Sequence, residues 1–129
     1  MSKATSAKKY RLLSMPNAQC HVYIKRFDDG SVSVELISYE TSVCIVNYNP
    51  VNGAELLCSG TYSVTTARHI NSFTNEFCGD SKYHECKLAL HKGKRVGYWW
   101  CRVCDVDPER LFKQCERYEE DARGYYGRY

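Results

Sequence analysis

Hydrophobic and polar residues alternate along the first half of the chain, with the period of two that is typical of half-buried β-strands. The alternation runs through Cys20–Phe27 and again through Ser31–Ser38, and the turn sequence Asp28-Asp29-Gly30 separates the two runs. An Asp-Gly turn between two alternating runs predicts a β-hairpin. Two further strands are predicted at Ser42–Tyr48, which is apolar and β-branched, and at Ala54–Ser59. Together the four segments predict an antiparallel meander.

The period changes to that of a helix in two later segments. Ile70, Phe73 and Phe77 recur at spacings of three and four residues, which predicts an amphipathic helix over Thr66–Phe77 with a threonine N-cap. The sequence Asp107-Pro108-Glu109 is typical of a helix start. An apolar stripe at helical spacing follows that start: Leu111, Phe112, Cys115 and Tyr118.

Between the two helices, Lys87–His91 and Arg95–Val103 are interpreted as the two strands of a basic hairpin. The predicted fold class is therefore α+β. It comprises an N-terminal antiparallel β-meander of about four strands, a short amphipathic helix, the basic hairpin and a C-terminal amphipathic helix. We expect residues 20–123 to form this single domain, residues 1–19 to be a flexible basic arm, and residues 124–129 to be a flexible aromatic tail.

The composition is that of an ordinary globular domain. Of 129 residues, 43% are hydrophobic and 26% are charged, which excludes a largely disordered chain. No apolar run approaches the roughly 20 residues that a membrane span needs. The chain contains no nucleophile elbow, Walker loop, zinc-protease helix or dinucleotide glycine motif, so we expect a non-enzymatic protein. Because no secretory signal is present, we expect a cytoplasmic location with reduced thiols.

Charge is distributed unevenly although the net charge is only +3. Residues 81–104 hold six Lys and Arg against the single acid Glu85. Cations beside aromatic rings are the chemistry of single-stranded nucleic-acid binding. The candidate residues are Lys87, Lys92, Lys94, Arg95, Tyr98, Trp99 and Arg102. Two alternatives remain open: the tryptophans belong to the core and the lysines to a solvated hairpin tip, or the same residues bind a protein.

The basic arm and the first helix add two weaker candidates for anion binding. In the arm, Lys3, Lys8, Lys9 and Arg11 are expected to contact phosphates. In the helix, Thr65, Thr66, Arg68 and His69 lie in the first turns, where the N–H groups and the dipole favour an anion. The alternative is structural: a threonine caps the helix and His69 hydrogen-bonds the end of a strand.

Eight cysteines raise the question of metal binding. Cys101 and Cys104 have the spacing of half a zinc site, and His84 with Cys86 is a candidate second pair. The alternatives are disulfides among Cys78, Cys86, Cys101 and Cys104, or reduced cysteines in the core, which is the favoured interpretation. A thiol nucleophile also remains open, because its histidine partner would be recognisable only in space.

Two short motifs resemble a known group of proteins. The first is Ser38-Tyr39-x-Thr41-x-Val43, and the second is Tyr62-Ser63-x-Thr65-Thr66-x-Arg68-His69-Ile70-x-x-Phe73. They resemble a family of small uncharacterised proteins of bacteriophages and phage-like mobile elements. The resemblance covers about 40 residues and implies a phage-type protein acting in a bacterial host cell. It implies no particular activity, cofactor or site.

The expected function is that of a small non-enzymatic accessory protein. Its partner would be a nucleic acid or a host nucleoprotein, and its effect would be to modulate a host process or a defence system. We expect no membrane partner, no small-molecule substrate and no cofactor, with zinc kept open. The alternatives are a protein-interaction or structural module, including a homodimer, and a zinc-stabilised binding module.

Overall fold

The computed structural model describes residues 3–59, 63–79, 82–92, 96, 100–120 and 125–128, and it describes Lys92 and residues 125–128 by their backbone only. The strands and helices follow one another in this order: β1 (Ala4–Arg11), β2 (Cys20–Phe27), β3 (Val32–Ser38), β4 (Thr41–Asn49), β5 (Gly53–Ser59), α1 (Val64–Cys78), α2 (Tyr83–Lys92), β6 (Trp100–Val106), α3 (Pro108–Glu120) and β7 (Tyr125–Arg128).

The described strands form one antiparallel sheet of seven strands, in the order β6-β5-β4-β3-β2-β1-β7. The predicted α+β class and the predicted meander are confirmed, since β2 to β5 are neighbours in chain order. The hairpin between β2 and β3 turns at Gly30, whose φ of 88° lies in the region that glycine adopts without strain. The expected number of about four strands is wrong, because β1, β6 and β7 extend the meander at both edges.

The ends expected to be a flexible arm and a flexible tail instead contain strands. β1 pairs with β2 along its whole length and with β7 on its other side. Tyr10, near the end of β1, is 2% exposed, and Leu12, which directly follows the strand, is 0% exposed. The arm was misjudged because Tyr10 is the one fully buried side chain of β1, so the strand shows no alternation. Its backbone is held by hydrogen bonds to partners distant in sequence, which local periodicity does not reveal.

The prediction of a basic hairpin is also wrong, because Lys87–His91 lies within α2. Leu88 and Leu90 alternate with polar neighbours and so imitate a strand, yet Leu88 is 40% exposed. The buried stripe of α2 is instead Cys86, Ala89 and the partly buried Leu90, at helical spacing. The helical period of this stripe is weak in the sequence because Cys86 and Ala89 are small residues. The strand predicted at Arg95–Val103 overlaps β6, which starts at Trp100.

The three described helices pack on one face of the sheet, which we call the packed face. Ile70, Phe73 and Phe77 are fully buried on α1, as the spacing predicted. The helix begins two residues earlier than expected, and its N-cap is Ser63 rather than a threonine: the Ser63 hydroxyl accepts a hydrogen bond from the backbone N–H of Thr66 at 3.1 Å. The predicted C-terminal helix is confirmed as α3.

α3 and α2 cover opposite ends of the packed face by different means. Over β1 and β2, α3 supplies Tyr118, whose ring contacts the Tyr10 ring edge-on with centroids 5.7 Å apart. Its residue Glu119 pairs with Arg26 of β2 at 2.6 Å. Over β5 and β6, α2 buries Cys86, whose thiol hydrogen-bonds with Cys44 and Cys58.

Candidate functional site

The second face of the sheet carries the alternate side chains of the strands and is called the open face here. The strand register aligns one residue from each of six strands into a row across this face: Lys9, Tyr23, Glu35, Ile45, Leu57 and Arg102. Because side chains in an antiparallel sheet alternate between faces, the side chains of this row lie on the side of the sheet opposite the apolar packed face. The open face is therefore a broad surface built on rigid strands.

The basic end of the open face is formed by β1 and β2. Neither Ala4–Arg11 nor Cys20–Phe27 contains an acidic residue. Pairing places Lys9 opposite Tyr23, and Arg11 opposite His21. Lys25, two residues along the strand from Tyr23, holds its ammonium nitrogen 5.0 Å from the centre of that ring. Three cations, an imidazole and a phenol ring thus share one patch, and the nearest acid across the sheet is Glu35 on β3.

His21 shows that this patch is electrostatically positive. Partial burial lowers its pKa below the usual value, and the positive charge of Lys9 lowers that pKa further. Both effects disfavour the charged imidazolium. His21 is therefore a neutral hydrogen-bonding group near pH 7, beside cations that stay charged.

The balanced end of the open face is formed by β5 and β6. Arg102 donates from Nε to Glu55 at 3.0 Å and pairs through Nη2 with Asp105. One cation is therefore held between two carboxylates. Among the described residues of β5 and β6, the positive charge of Arg102 is therefore balanced by acids.

Of the residues predicted to bind nucleic acid, the structure describes the side chains of Lys87 and Arg102, and these two lie on opposite sides of the sheet. Lys87 is exposed on α2, on the helix side of the sheet, whereas Arg102 lies on the open face and is neutralised by acids. Lys92 belongs to α2, and its side chain is outside the described part of the chain, as are Lys94, Arg95, Tyr98 and Trp99 entirely. Of the cations expected in the N-terminal arm, Lys9 and Arg11 do lie on the open face.

Sequence reasoning missed Tyr23 and Lys25 as members of a site. The signal was available: period-two alternation puts both on the polar face of β2, and the strand contains no acid. What the alternation did not show is that β1 lies beside β2 and adds the two cations Lys9 and Arg11 to the same face.

The predicted anion site at the start of α1 is divided between two sides of the helix. His69 is 1% exposed and its Nδ1 hydrogen-bonds the Ser38 hydroxyl at 2.9 Å. The Thr66 hydroxyl hydrogen-bonds with the same Ser38 hydroxyl, at 3.0 Å. Burial lowers the pKa of His69. Thr65 and Arg68 are exposed instead. The structural alternative describes this region, since His69 ties α1 to the end of β3.

The predicted zinc ligands are not brought together. Cys86 and Cys101 are buried, Cys104 is partly buried and His84 is exposed on α2. Within the described residues, no group of three or more His, Cys, Asp or Glu side chains is arranged to hold a metal ion. No disulfide joins any of the eight cysteines.

The thiols have the electrostatics of core residues rather than of nucleophiles. Burial raises the pKa of Cys20 to about 11 and of Cys78 and Cys115 to about 12. The pKa of Cys86 is raised as well, first by its hydrogen bond with Cys44. A reactive cysteine requires a lowered pKa as well as exposure, and the pKa of each of these thiols is raised.

The fold and the open face define a class: a two-layer α+β protein with helices on one side of an antiparallel sheet. Residues 10–90 match a family of unknown function (DUF8033). The match covers more than half of the chain, so the protein belongs to that family. No curated protein and no solved structure matches the chain. Among the described helices, none is long and apolar enough to cross a membrane.

Proposed function

We propose that the protein binds single-stranded nucleic acid through the basic end of the open face, and that it acts by occupancy rather than by catalysis. The observation that carries the proposal is the charge asymmetry of that face. Lys9, Arg11 and Lys25 lie on the open face of β1 and β2, whose sequences contain no acidic residue, whereas β5 and β6 contribute Arg102 together with the acids Glu55 and Asp105.

The chemistry of the patch favours a single strand over a duplex. Proteins that bind single strands combine cations along the backbone with rings on which bases stack. Tyr23 provides such a ring in the middle of the patch, with Lys25 and Lys9 on either side of it. The described helices lie on the other side of the sheet, so on the open face the patch offers strand side chains rather than a helix that could enter a duplex groove. Action as an accessory protein in a bacterial host cell is the setting that the phage-like motifs support.

The test is the binding of labelled single-stranded DNA, single-stranded RNA and duplex DNA, followed by fluorescence anisotropy at low and at physiological salt. We expect single strands to bind more tightly and the affinity to fall as salt rises. In the double variant Lys9→Ala/Lys25→Ala, the slope of log affinity against log salt should decrease by about 1.4, because each lost phosphate contact on a single strand removes about 0.7.

Two single variants separate charge from stacking. Tyr23→Leu keeps the apolar volume but removes the ring, and it should weaken binding about tenfold at any salt concentration. Lys87→Ala removes one positive charge from α2 on the other side of the sheet and is the matched control, with little expected effect. Equal losses in Lys87→Ala and in the double variant would mean that only net charge matters, and they would refute the proposed interface.

A protein partner is the second candidate, and one observation favours it. Ile37, Ile45 and Leu57 are apolar residues in the middle of the open face, between its two charged ends. An apolar centre with a polar rim is the usual anatomy of a protein interface. Absence of nucleic-acid binding at low salt, together with binding to a protein that Ile45→Lys abolishes, would establish this candidate instead.

A further inference from the structure

A polar cleft lies on the helix side of the molecule, between α1, α3 and the segment that follows β1. It has a volume of about 390 Å³, and its lining includes Ser14, Ser72, Asn75, Glu76, Arg110 and Arg117. A neighbouring hollow of about 410 Å³ shares Glu76 and both arginines. These volumes fall at the lower end of the range of small-molecule sites, about 300–1,000 Å³.

The only carboxylate in the lining of the first cleft, Glu76, is already occupied by neutral donors. Its Oε2 accepts from the backbone N–H of Ser14 at 2.9 Å and from the Ser14 hydroxyl. Its Oε1 accepts from Gln114 Nε2 at 2.9 Å and from the Tyr118 hydroxyl at 2.5 Å. Glu76 therefore serves as a structural acceptor that joins α1, α3 and the segment after β1.

Arg110 and Arg117 therefore form no ion pair with Glu76 among the described contacts. Arg110 donates from Nη2 to the carbonyl oxygen of Asn75 at 2.9 Å, and Arg117 donates from Nη1 to Gln114 Oε1 at 3.4 Å. Both acceptors are neutral, and a guanidinium has five N–H donors. Among the ion pairs between described residues, none involves Arg110 or Arg117.

We propose that this cleft binds the phosphoryl group of a small phosphate ester. The two guanidiniums lie seven residues apart on α3, which is two helical turns, so both face the same cleft. The polar residues Ser72 and Asn75 of α1 also line the cleft, and Ser14 lines it while donating to Glu76. A tetrahedral phosphate accepts hydrogen bonds from several directions at once, whereas a planar carboxylate is satisfied by a single guanidinium. Among the described residues that line the first cleft, the two cations outnumber the one carboxylate, Glu76, which already accepts four hydrogen bonds, while Asp107, Glu109 and Lys113 line the neighbouring hollow.

The inference does not rest on the proposed nucleic-acid binding, because the cleft and the open face lie on opposite sides of the sheet. The test is an amide NMR titration of the full chain with inorganic phosphate and with glycerol 3-phosphate, at constant ionic strength. We expect saturable shifts at Ser14, Ser72, Asn75 and the two arginines, with the ester bound more tightly than phosphate alone. The double variant Lys9→Ala/Lys25→Ala should bind both probes as the wild type does.

Variants of the cleft distinguish a site from general attraction of anions. Arg110→Gln and Arg117→Gln should each weaken glycerol 3-phosphate about tenfold, since each removes a charge-assisted donor pair. Lys87→Gln removes the same charge from α2 and should change the affinity less than twofold. Ser72→Leu narrows the cleft without changing its charge and should also weaken the ester, which keeps the proposal testable if an arginine variant fails to fold.

Three results would overturn the proposal. The first is the absence of saturable shifts with either probe. The second is shifts that spread over the exposed lysines of the chain instead of the cleft. The third is an affinity that stays the same in Arg110→Gln, in Arg117→Gln and in Ser72→Leu, when thermal melting shows those variants to be folded.

Discussion

The two ends of the sheet are built on the same antiparallel ladder but differ on both faces. At the β1–β2 end, α3 is held by a polar network around Glu76 and Tyr118, and the open face carries cations without acids. At the β5–β6 end, α2 is held by buried thiols, and the single cation Arg102 is paired with two acids. The two ends of the sheet thus differ both in how a helix is held on them and in the charges that their strands carry.

The difference shows how one sheet separates stability from recognition. The β5–β6 end buries small apolar groups and balances its surface charge, which is the pattern of a region selected for packing. The β1–β2 end keeps like charges on adjacent strands, which costs stability through mutual repulsion. The following predictions test the contrast, from the largest expected effect to the smallest.

The buried thiols at the β5–β6 end should be protected by the full free energy of unfolding. Cys44, Cys58, Cys86 and Cys101 are each 0% exposed, so a thiol reagent should reach them only when the domain unfolds, against about 5–15 kcal/mol. Cys78 and Cys104, which are partly buried, should react earlier. The measurement is labelling with a chromogenic disulfide at increasing urea. Rapid labelling of Cys86 that does not depend on urea would mean that α2 opens by itself.

At the β1–β2 end, a single substitution in the polar network around Glu76 should lower the free energy of unfolding more than substitutions elsewhere. Glu76→Ala leaves the hydroxyl of Tyr118 and the amide of Gln114 without their acceptor, and we expect it to lower the free energy of unfolding by about 3 kcal/mol. Glu116→Ala, an exposed acid of α3, is the control and should stay within about 0.5 kcal/mol. Urea unfolding followed by circular dichroism measures both variants. Equal losses would show that the network contributes nothing specific.

Neutralising the acids of the balanced end should extend the basic surface. The double variant Glu55→Gln/Asp105→Asn releases Arg102 from its two ion pairs, so we expect single-stranded DNA to bind a few times more tightly at low salt. Stability should change by less than about 1 kcal/mol, because these pairs are solvent-exposed. Anisotropy titrations test the gain. Weaker binding would contradict the assignment of the polyanion to the open face.

The smallest expected effect is on the titration of His21 at the basic end. Burial is the main cause of its lowered pKa, and the charge of Lys9 is the second. Lys9→Ala removes a positive charge that disfavours the imidazolium, so the pKa should rise by a fraction of a unit but stay below the usual value of about 6.5. NMR titration of the ring protons measures it. A fall in the pKa would mean that Lys9 does not act on His21.

Several elements were predictable because their signals are local. The hairpin of β2 and β3 follows from alternation around an Asp-Gly turn, and α3 follows from its Asp-Pro start. The protein's candidate sites were harder to predict. Lys9 was expected to contact phosphate from a flexible arm, yet its position depends on β1 pairing with β2. Arg102 was expected to bind nucleic acid, yet Glu55, 47 residues away in sequence, neutralises it.

The sequence by itself determined the α+β class, the central meander and the two amphipathic helices, because each of these elements displays its buried face within a dozen consecutive residues. The tertiary structure alone decided that the N-terminal segment is a strand, that α2 is a helix, and that Ser14 lies beside Arg117 in one cleft. A strand with one buried side chain is stabilised by hydrogen bonds to its neighbouring strands. A cleft is formed by segments that lie far apart in the chain. Such stabilisation is non-local, so no local periodicity records it.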